Sequence, residues 1–271
     1  MIFCKELNKS FNTESEMIKA IKLNLPEIIK AKMDATYKSC EKGVGVSLTV
    51  IKHADEADKA ALEMDDDHYY IVVNSCNILD SHDDLHIRGI WDDSVISEQG
   101  KNYLIFDHYL SPLNTIVKKE HIEQIVADIS FSALGKNYPG RTQVLVYKFR
   151  KDSVISDVAQ DWLESKDAIE ASVRMRYDEI EFALDSNDPD DKDLKKAFDK
   201  YFPKIANSGD FEYIRYFFAI KKARNVFESS LVIRGSNPVT GAISIGAKKE
   251  EIENIDQAET SQKLKSSLLL T

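Results

Sequence analysis

The chain has 271 residues, of which 43% are hydrophobic and 30% are charged. These values are typical of a soluble globular protein, and they exclude a collagen-like chain, a mostly disordered chain and a disulfide scaffold. Asp and Glu number 46 against 36 Lys and Arg, so the formal net charge is −10. Because an acidic surface repels phosphate backbones and anionic lipids, we expect no nucleic-acid partner and no membrane partner. The sparse cysteines Cys4, Cys40 and Cys76 favour free thiols in a reducing compartment.

Residues 1–65 predict a helical arm followed by an acidic linker. Apolar residues recur at helical spacing over residues 14–35, and Pro26 is expected to kink or divide this helix. Residues 53–68 are polar and acidic, which favours a loop or a short solvated helix. No apolar run approaches the roughly 20 residues that a membrane-spanning helix needs. The N-terminus lacks the apolar core of a cleavable signal.

Residues 66–246 predict a β-rich domain. The strand candidates are residues 69–73, 85–90, 103–107, 122–133, 143–149, 169–184 and 226–233. A change of apolar phase after Glu179 predicts a bulge or bend in the sixth of these strands. Helical patterns lie at residues 154–165, 191–206 and 211–223. The last two patterns predict a helical insertion over residues 186–224, before the last strand, and the polar residues 247–271 predict a mobile tail.

Ser172 and His108 are the first candidate pair for nucleophilic catalysis. Ser172 shares a polar strand face with Arg174 and Arg176, while His108 directly follows a predicted strand. A serine hydroxyl becomes a nucleophile when a histidine takes its proton and a third group fixes the tautomer of that histidine. On composition alone, however, a serine in a strand is usually a surface residue or a hydrogen-bonded one.

The run DSHDDLH offers an alternative metal-binding chemistry. On a helix, His82 and His86 would lie one turn apart and could present two imidazoles to a divalent cation. On a strand they would lie about 13 Å apart, which is too far to share one ion. A solvated acidic turn leading into a strand is the simpler interpretation, so we expect no metal.

Glu228 and the glycine-rich loops give weaker indications. Glu228 lies inside an apolar strand, where it is either a surface residue of an edge strand or the partner of a buried base. Residue types alone favour the surface position. The glycine patterns at residues 43–45 and 235–241 lack a phosphate-loop or dinucleotide fingerprint, so we expect no cofactor.

In their order along the chain, these segments resemble the prohead (capsid maturation) serine proteases of tailed bacteriophages. The matching segments are ILDSHDDLHIRGIWDDSV at residues 78–95, YLIFDH ending in His108, IEASVRMRY containing Ser172 and FESSLVIRGSNPVT containing Glu228. The resemblance covers roughly residues 70–242. His108 and Ser172 are separated by 172 − 108 = 64 residues.

This resemblance implies an α+β fold with a herpesvirus-assemblin-like β-barrel core surrounded by helices. It implies an endopeptidase that cleaves phage scaffold protein, capsid-protein arms and itself inside the procapsid, in the host cytoplasm. The family works without a cofactor, and its assemblin relatives act as homodimers. An inactive structural or scaffold-type head protein with the same fold is the alternative that the resemblance leaves open.

The resemblance also assigns roles to particular residues. Ser172 would be the nucleophile and His108 the general base. Glu228 matches the acidic position in the last strand and would be the third member, with Asp128 as the other candidate. By analogy with assemblins, backbone N–H groups of residues 234–236 would stabilise the oxyanion.

Overall fold

The computed structural model describes residues 1–35, 56–165 and 169–243, and these residues form the α+β fold that the sequence predicts. The α-helices are α1 (Glu14–Leu23), α2 (Leu25–Asp34), α3 (Glu56–Leu62), α4 (Ser94–Ser97), α5 (Asp157–Glu164) and α6 (Lys192–Tyr201). The strands are β1 (Ile2–Cys4), β2 (Lys9–Phe11), β3 (His68–Ser75), β4 (Asp84–His86), β5 (Tyr103–Phe106), β6 (Thr115–Val117), β7 (Glu123–Ser130), β8 (Arg141–Arg150), β9 (Glu170–Leu184), β10 (Tyr216–Val232) and β11 (Gly241–Ile243). The predicted tail, residues 247–271, and Cys40 lie outside the described residues.

The strands of the described residues form three sheets. Strands β1 and β2 form a hairpin, and β11-β3-β8-β7 form an antiparallel four-stranded sheet. In the third sheet, the long strand β10 pairs with β9 over most of its length. It also pairs with β4 near its start and with β5 near its end, and β5 pairs with β6. None of these sheets closes on itself, so the predicted closed barrel is wrong for this part of the chain. The reason is that the two large sheets meet through packed side chains rather than through a shared hydrogen-bonded strand.

The principal core lies between the two large sheets and includes the N-terminal helices. The four-stranded sheet contributes Ile71, Val73, Leu145, Tyr147 and Phe149, and the five-stranded sheet contributes Ala171, Val173, Met175, Tyr177, Phe218 and Leu231. From α1 and α2, Met17, Ile18, Ile21 and Ile28 join the same cluster. The N-terminal arm is therefore an integral part of this fold. No helix of the described residues is long and apolar enough to cross a membrane.

Two sequence predictions of local breaks agree with the structure. Helix α1 ends at Leu23 and α2 begins at Leu25, so the helical pattern divides beside Pro26, which occupies the first turn of α2. Beyond Glu179, the pairing of β9 with β10 shifts register between Ile220 and Lys222. The change of apolar phase in the sequence marks this shift.

The predicted helical insertion is correct only in its first half. Helix α6 is present, but residues 216–224 belong to the long strand β10 instead of the helix predicted at residues 211–223. The reason is burial on both faces of this strand: Phe218 and Ile220 face the principal core, while Phe217 packs in a second cluster with α6. A strand covered on both faces has a continuous apolar run without alternation, which cannot be distinguished from a buried helix by periodicity.

Candidate active site

His108 lies in a tight turn at the end of β5. Both Asp107 and His108 adopt left-handed backbone conformations, with φ of 51° and 56°. Such angles are uncommon for residues other than glycine and occur where the surrounding structure enforces them. Here the N–H of Asp107 donates to the carbonyl of Leu231 at 3.2 Å, and the N–H of Tyr109 donates to the carbonyl of Phe106 at 3.0 Å. Asp107 is exposed, whereas the imidazole of His108 is only 6% exposed.

The imidazole of His108 is hydrogen-bonded to Glu228 of β10. The distance from His108 Nδ1 to Glu228 Oε1 is 2.8 Å, and the Glu228 side chain is fully buried. Because an ionised carboxylate only accepts hydrogen bonds, Nδ1 is the donor, and the acceptor of a neutral imidazole is then Nε2. This is the tautomer that a general base needs in a Ser-His-acid mechanism.

Ser230 connects the same two residues a second time. Its Oγ accepts a hydrogen bond from the backbone N–H of His108 at 2.9 Å and donates one to Glu228 Oε2 at 2.8 Å. Ser230 is fully buried. Both oxygens of the Glu228 carboxylate therefore have a donor, as a buried charge requires.

Ser172 lies on β9 directly opposite Ser230 in the antiparallel pair with β10. Side chains of directly opposed residues lie on one face, with Cβ atoms about 5 Å apart. Strand alternation places Val173 in the principal core, on the other face of the sheet. The structure thus brings Ser172, His108 and Glu228 to one face of the five-stranded sheet, with Ser172 8% exposed.

A second irregularity of β10 lies next to Glu228. Between the pairs Asn225–Met175 and Ser229–Val173, β10 advances by four residues while β9 advances by two. Within this bulge, Phe227 has a left-handed φ of 69° and a 64% exposed side chain. Bulges of this kind redirect side chains and occur often beside active sites. The backbone on both sides of the His108–Glu228 pair is therefore irregular.

The face that carries Ser172 also carries a buried donor, Arg174 Nε, with no acceptor among the described residues. Arg174 is two residues from Ser172 on β9, so the alternation of the strand puts it on the same face. Its Nε atom is buried, and it has no hydrogen-bond partner within the described ranges. A guanidinium at this position can stabilise negative charge that develops near Ser172.

One of the expected oxyanion donors in the loop of residues 234–236 is already engaged. The N–H of Gly235 donates to Glu170 Oε2 at 2.7 Å. A Cβ at position 235 would lie 2.9 Å from the carbonyl oxygen of Ala171, so only glycine allows this loop to approach the residue before Ser172.

The other sequence candidates lie elsewhere. Asp128 is on β7 in the four-stranded sheet, where its Oδ2 accepts from Arg88 at 2.8 Å. In the DSHDDLH run, β4 contains His86, whose two ring nitrogens lie 2.9 Å from Asn74 Nδ2 and 3.2 Å from Tyr177 Oη. Across the described residues, no group of three or more His, Cys, Asp or Glu side chains could hold a metal ion.

Sequence reasoning did not identify Ser230 or Arg174 as parts of this site. The available signal for Ser230 was its spacing of two from Glu228, which puts both side chains on one strand face. For Arg174, strand alternation predicts the face shared with Ser172, but only the tertiary structure shows that its Nε has no acceptor among the described residues. Comparisons of the chain with protein-family models, with curated proteins and with solved structures find no match.

Proposed function

We propose that this chain is a serine endopeptidase of phage head maturation, with Ser172 as nucleophile, His108 as general base and Glu228 as the third member. The observation that carries the proposal is the buried 2.8 Å hydrogen bond from His108 Nδ1 to Glu228. It orients an imidazole on the sheet face where Ser172 lies opposite Ser230. The reaction class rests on these side chains, and the phage substrates rest on the ordered resemblance of the segments.

The proposed chemistry is an acyl transfer in two steps. Ser172 Oγ attacks the scissile carbonyl carbon while His108 Nε2 takes its proton, an approach that needs about 3 Å between the two atoms. The imidazolium, stabilised by Glu228, then gives that proton to the leaving amine as the C–N bond breaks. Water then attacks the resulting ester while His108 takes its proton, and the imidazolium returns that proton to Ser172 Oγ as the ester C–O bond breaks and the acid is released.

Arg174 is the donor that we assign to the oxyanion, because its buried Nε has no partner among the described residues and its side chain shares the face of Ser172. Replacing Arg174 by Gln is expected to reduce kcat by about 100-fold, since one donor to the oxyanion is lost. The matched control is Arg176→Gln, because Arg176 is an exposed arginine two residues beyond Arg174 on the same strand face. Equal kcat values for the two variants in a peptide-cleavage assay would contradict the assignment.

The proposed substrates are the scaffold protein, the arms of the capsid protein and the chain itself. We also propose a distant relation to the herpesvirus assemblins. It is supported by the order of the His, Ser and Glu segments, although the sheets of the described residues do not close into a barrel.

The deciding experiment follows intact mass against time for the wild-type protein and Ser172→Ala, alone and with the phage's own scaffold and capsid proteins. Fragments that appear with the wild type alone are expected. Ser229→Ala is the matched control, because Ser229 is a buried serine of the same sheet whose neighbour Leu231 points into the principal core. Identical uncleaved masses for the wild type and Ser172→Ala, with the partners present, would favour the inactive structural head protein.

A further inference from the structure

We infer that Ser230 is a positioning residue that fixes His108 and Glu228 relative to Ser172. This inference rests on the proposed function and extends it by one residue. Its basis is a ring of three hydrogen bonds: His108 N–H to Ser230 Oγ, Ser230 Oγ–H to Glu228 Oε2, and His108 Nδ1–H to Glu228 Oε1. Each of the three residues is therefore hydrogen-bonded to the other two.

The ring holds a backbone conformation that would otherwise relax. His108 has a φ of 56°, and the hydrogen bond from its N–H to Ser230 Oγ anchors the turn to β10. Without that acceptor the N–H loses this hydrogen bond, and the turn can move together with the imidazole. A shift of about 1 Å in a reacting group is enough to slow catalysis strongly.

Ser230 acts on the carboxylate at the same time. Glu228 is fully buried, and its Oε2 accepts from Ser230 while its Oε1 accepts from His108. Loss of the hydroxyl would let the carboxylate rotate, and it would then offer His108 a poorer acceptor. Ser230 also pairs with Ser172 on one side and with Ile105 of β5 on the other, so it occupies the strand between the nucleophile and the base.

Ser229 provides a matched control within the same strand. It is also a fully buried serine, and its Oγ accepts a hydrogen bond from Asn225 Nδ2 at 3.2 Å. Because successive residues of a strand point to opposite faces, Ser229 points away from the ring of His108, Glu228 and Ser230. Ser229→Ala and Ser230→Ala each remove one buried hydroxyl, but only Ser230→Ala removes hydrogen bonds of the ring.

The experiment measures two properties of the full chain: the rate at which a fluorophosphonate labels Ser172, and the downfield NMR signal of the His108 Nδ1 proton. Ser230→Ala is expected to label up to about 100-fold more slowly, because a displacement of about 1 Å in a reacting group can have an effect of this size. Its Nδ1 proton signal should broaden or disappear. Ser229→Ala should resemble the wild type in both measurements, and Ser230→Thr, which keeps the hydroxyl, should recover the proton signal.

The outcomes separate the two proposals. If the wild-type protein is not labelled at Ser172, the proposed function fails. If the wild type is labelled and Ser230→Ala matches Ser229→Ala in rate and in the Nδ1 signal, the inference about Ser230 is overturned while the protease assignment stands. Thermal unfolding of each variant shows that the compared proteins are folded.

Discussion

Replacement of Glu228 by Gln is expected to reduce kcat by about 10⁴-fold with little change in KM. The amide has the shape of the carboxylate but no charge, so it cannot stabilise the His108 imidazolium of the proposed mechanism. Its NH₂ group must face either His108 Nδ1 or the Ser230 hydroxyl, and both now bond to carboxylate oxygens. Loss of the acid in a Ser-His-acid site has an effect of this size, because the wrong tautomer of the base is favoured.

The control for this prediction is Asp128→Asn. Asp128 is the other acid that the resemblance leaves open, and its carboxylate is paired with Arg88, with side chains 45% and 49% exposed. An exposed ion pair contributes about 0–1 kcal/mol, so this variant should fold and cleave peptides much as the wild type does. Steady-state cleavage of one peptide by both variants is the measurement. A large loss for Asp128→Asn together with full activity for Glu228→Gln would reverse the assignment of the acid.

The features of the site that the sequence predicts are those that follow from the alternation of side chains between the two faces of a strand. Ser172 alternates with Val173 and Met175, and the structure places these two apolar residues in the core with Ser172 on the opposite face. The strand predicted at residues 103–107 is present as Tyr103–Phe106, and His108 lies in the turn that follows it. These features depend on near neighbours in the chain, which periodicity reports directly.

Pairing between distant segments could not be predicted in the same way. The alignment of Ser172 with Ser230 requires a particular register of β9 on β10, and that register shifts at three places along the pair. A slip of one residue would turn Ser230 to the opposite face. The packing of β10 between two apolar clusters favours the observed register. Because of this packing, the first half of β10 has a continuous apolar run, and its sequence pattern predicts a helix.

The surface position that residue types alone favour for Glu228 is not the one observed. Glu228 is fully buried in a strand with neighbours on both sides, β9 and β5. Charged residues are almost never fully buried without a partner, and the partner here is contributed by a segment 120 residues earlier in the chain. The resemblance assigned Glu228 a role beside His108, whereas residue types alone favoured the surface position.

Replacement of Lys32 by Met is expected to destabilise the protein by about 3–5 kcal/mol, the usual effect of breaking a buried ion pair from one side. Lys32 Nζ lies 2.7 Å from Asp84 Oδ1, and these side chains are 13% and 0% exposed. Asp84 Oδ2 accepts from Tyr177, and the ammonium also lies over the ring of Phe218. Burial lowers the pKa of Lys32, but the charge and hydrogen bond of Asp84 outweigh this and raise the pKa above its ordinary value.

The direction of the pKa shift of Lys32 determines how its stabilising effect changes with pH. A raised pKa means that folding favours the charged lysine, so the stabilisation is present below the ordinary lysine pKa and is lost only as the pH rises through the folded value. The difference between the wild type and Lys32→Met should therefore be constant through neutral pH and decrease in strong alkali. Urea unfolding at several pH values measures it.

The matched control for the buried pair is Lys5→Met, because Lys5 joins the hairpin to Asp83 through a pair with side chains 42% and 24% exposed. We expect this variant to lose less than about 1 kcal/mol. The double variant Lys32→Met/Asp84→Asn should lose less than the sum of its single variants, since the second change removes the charge that the first leaves buried. If Lys32→Met and Lys5→Met unfold at the same urea concentration, the buried pair does not hold α2 against β4. The apolar contacts of Met17, Ile21 and Ile28 would then contribute more than this ion pair to holding the arm.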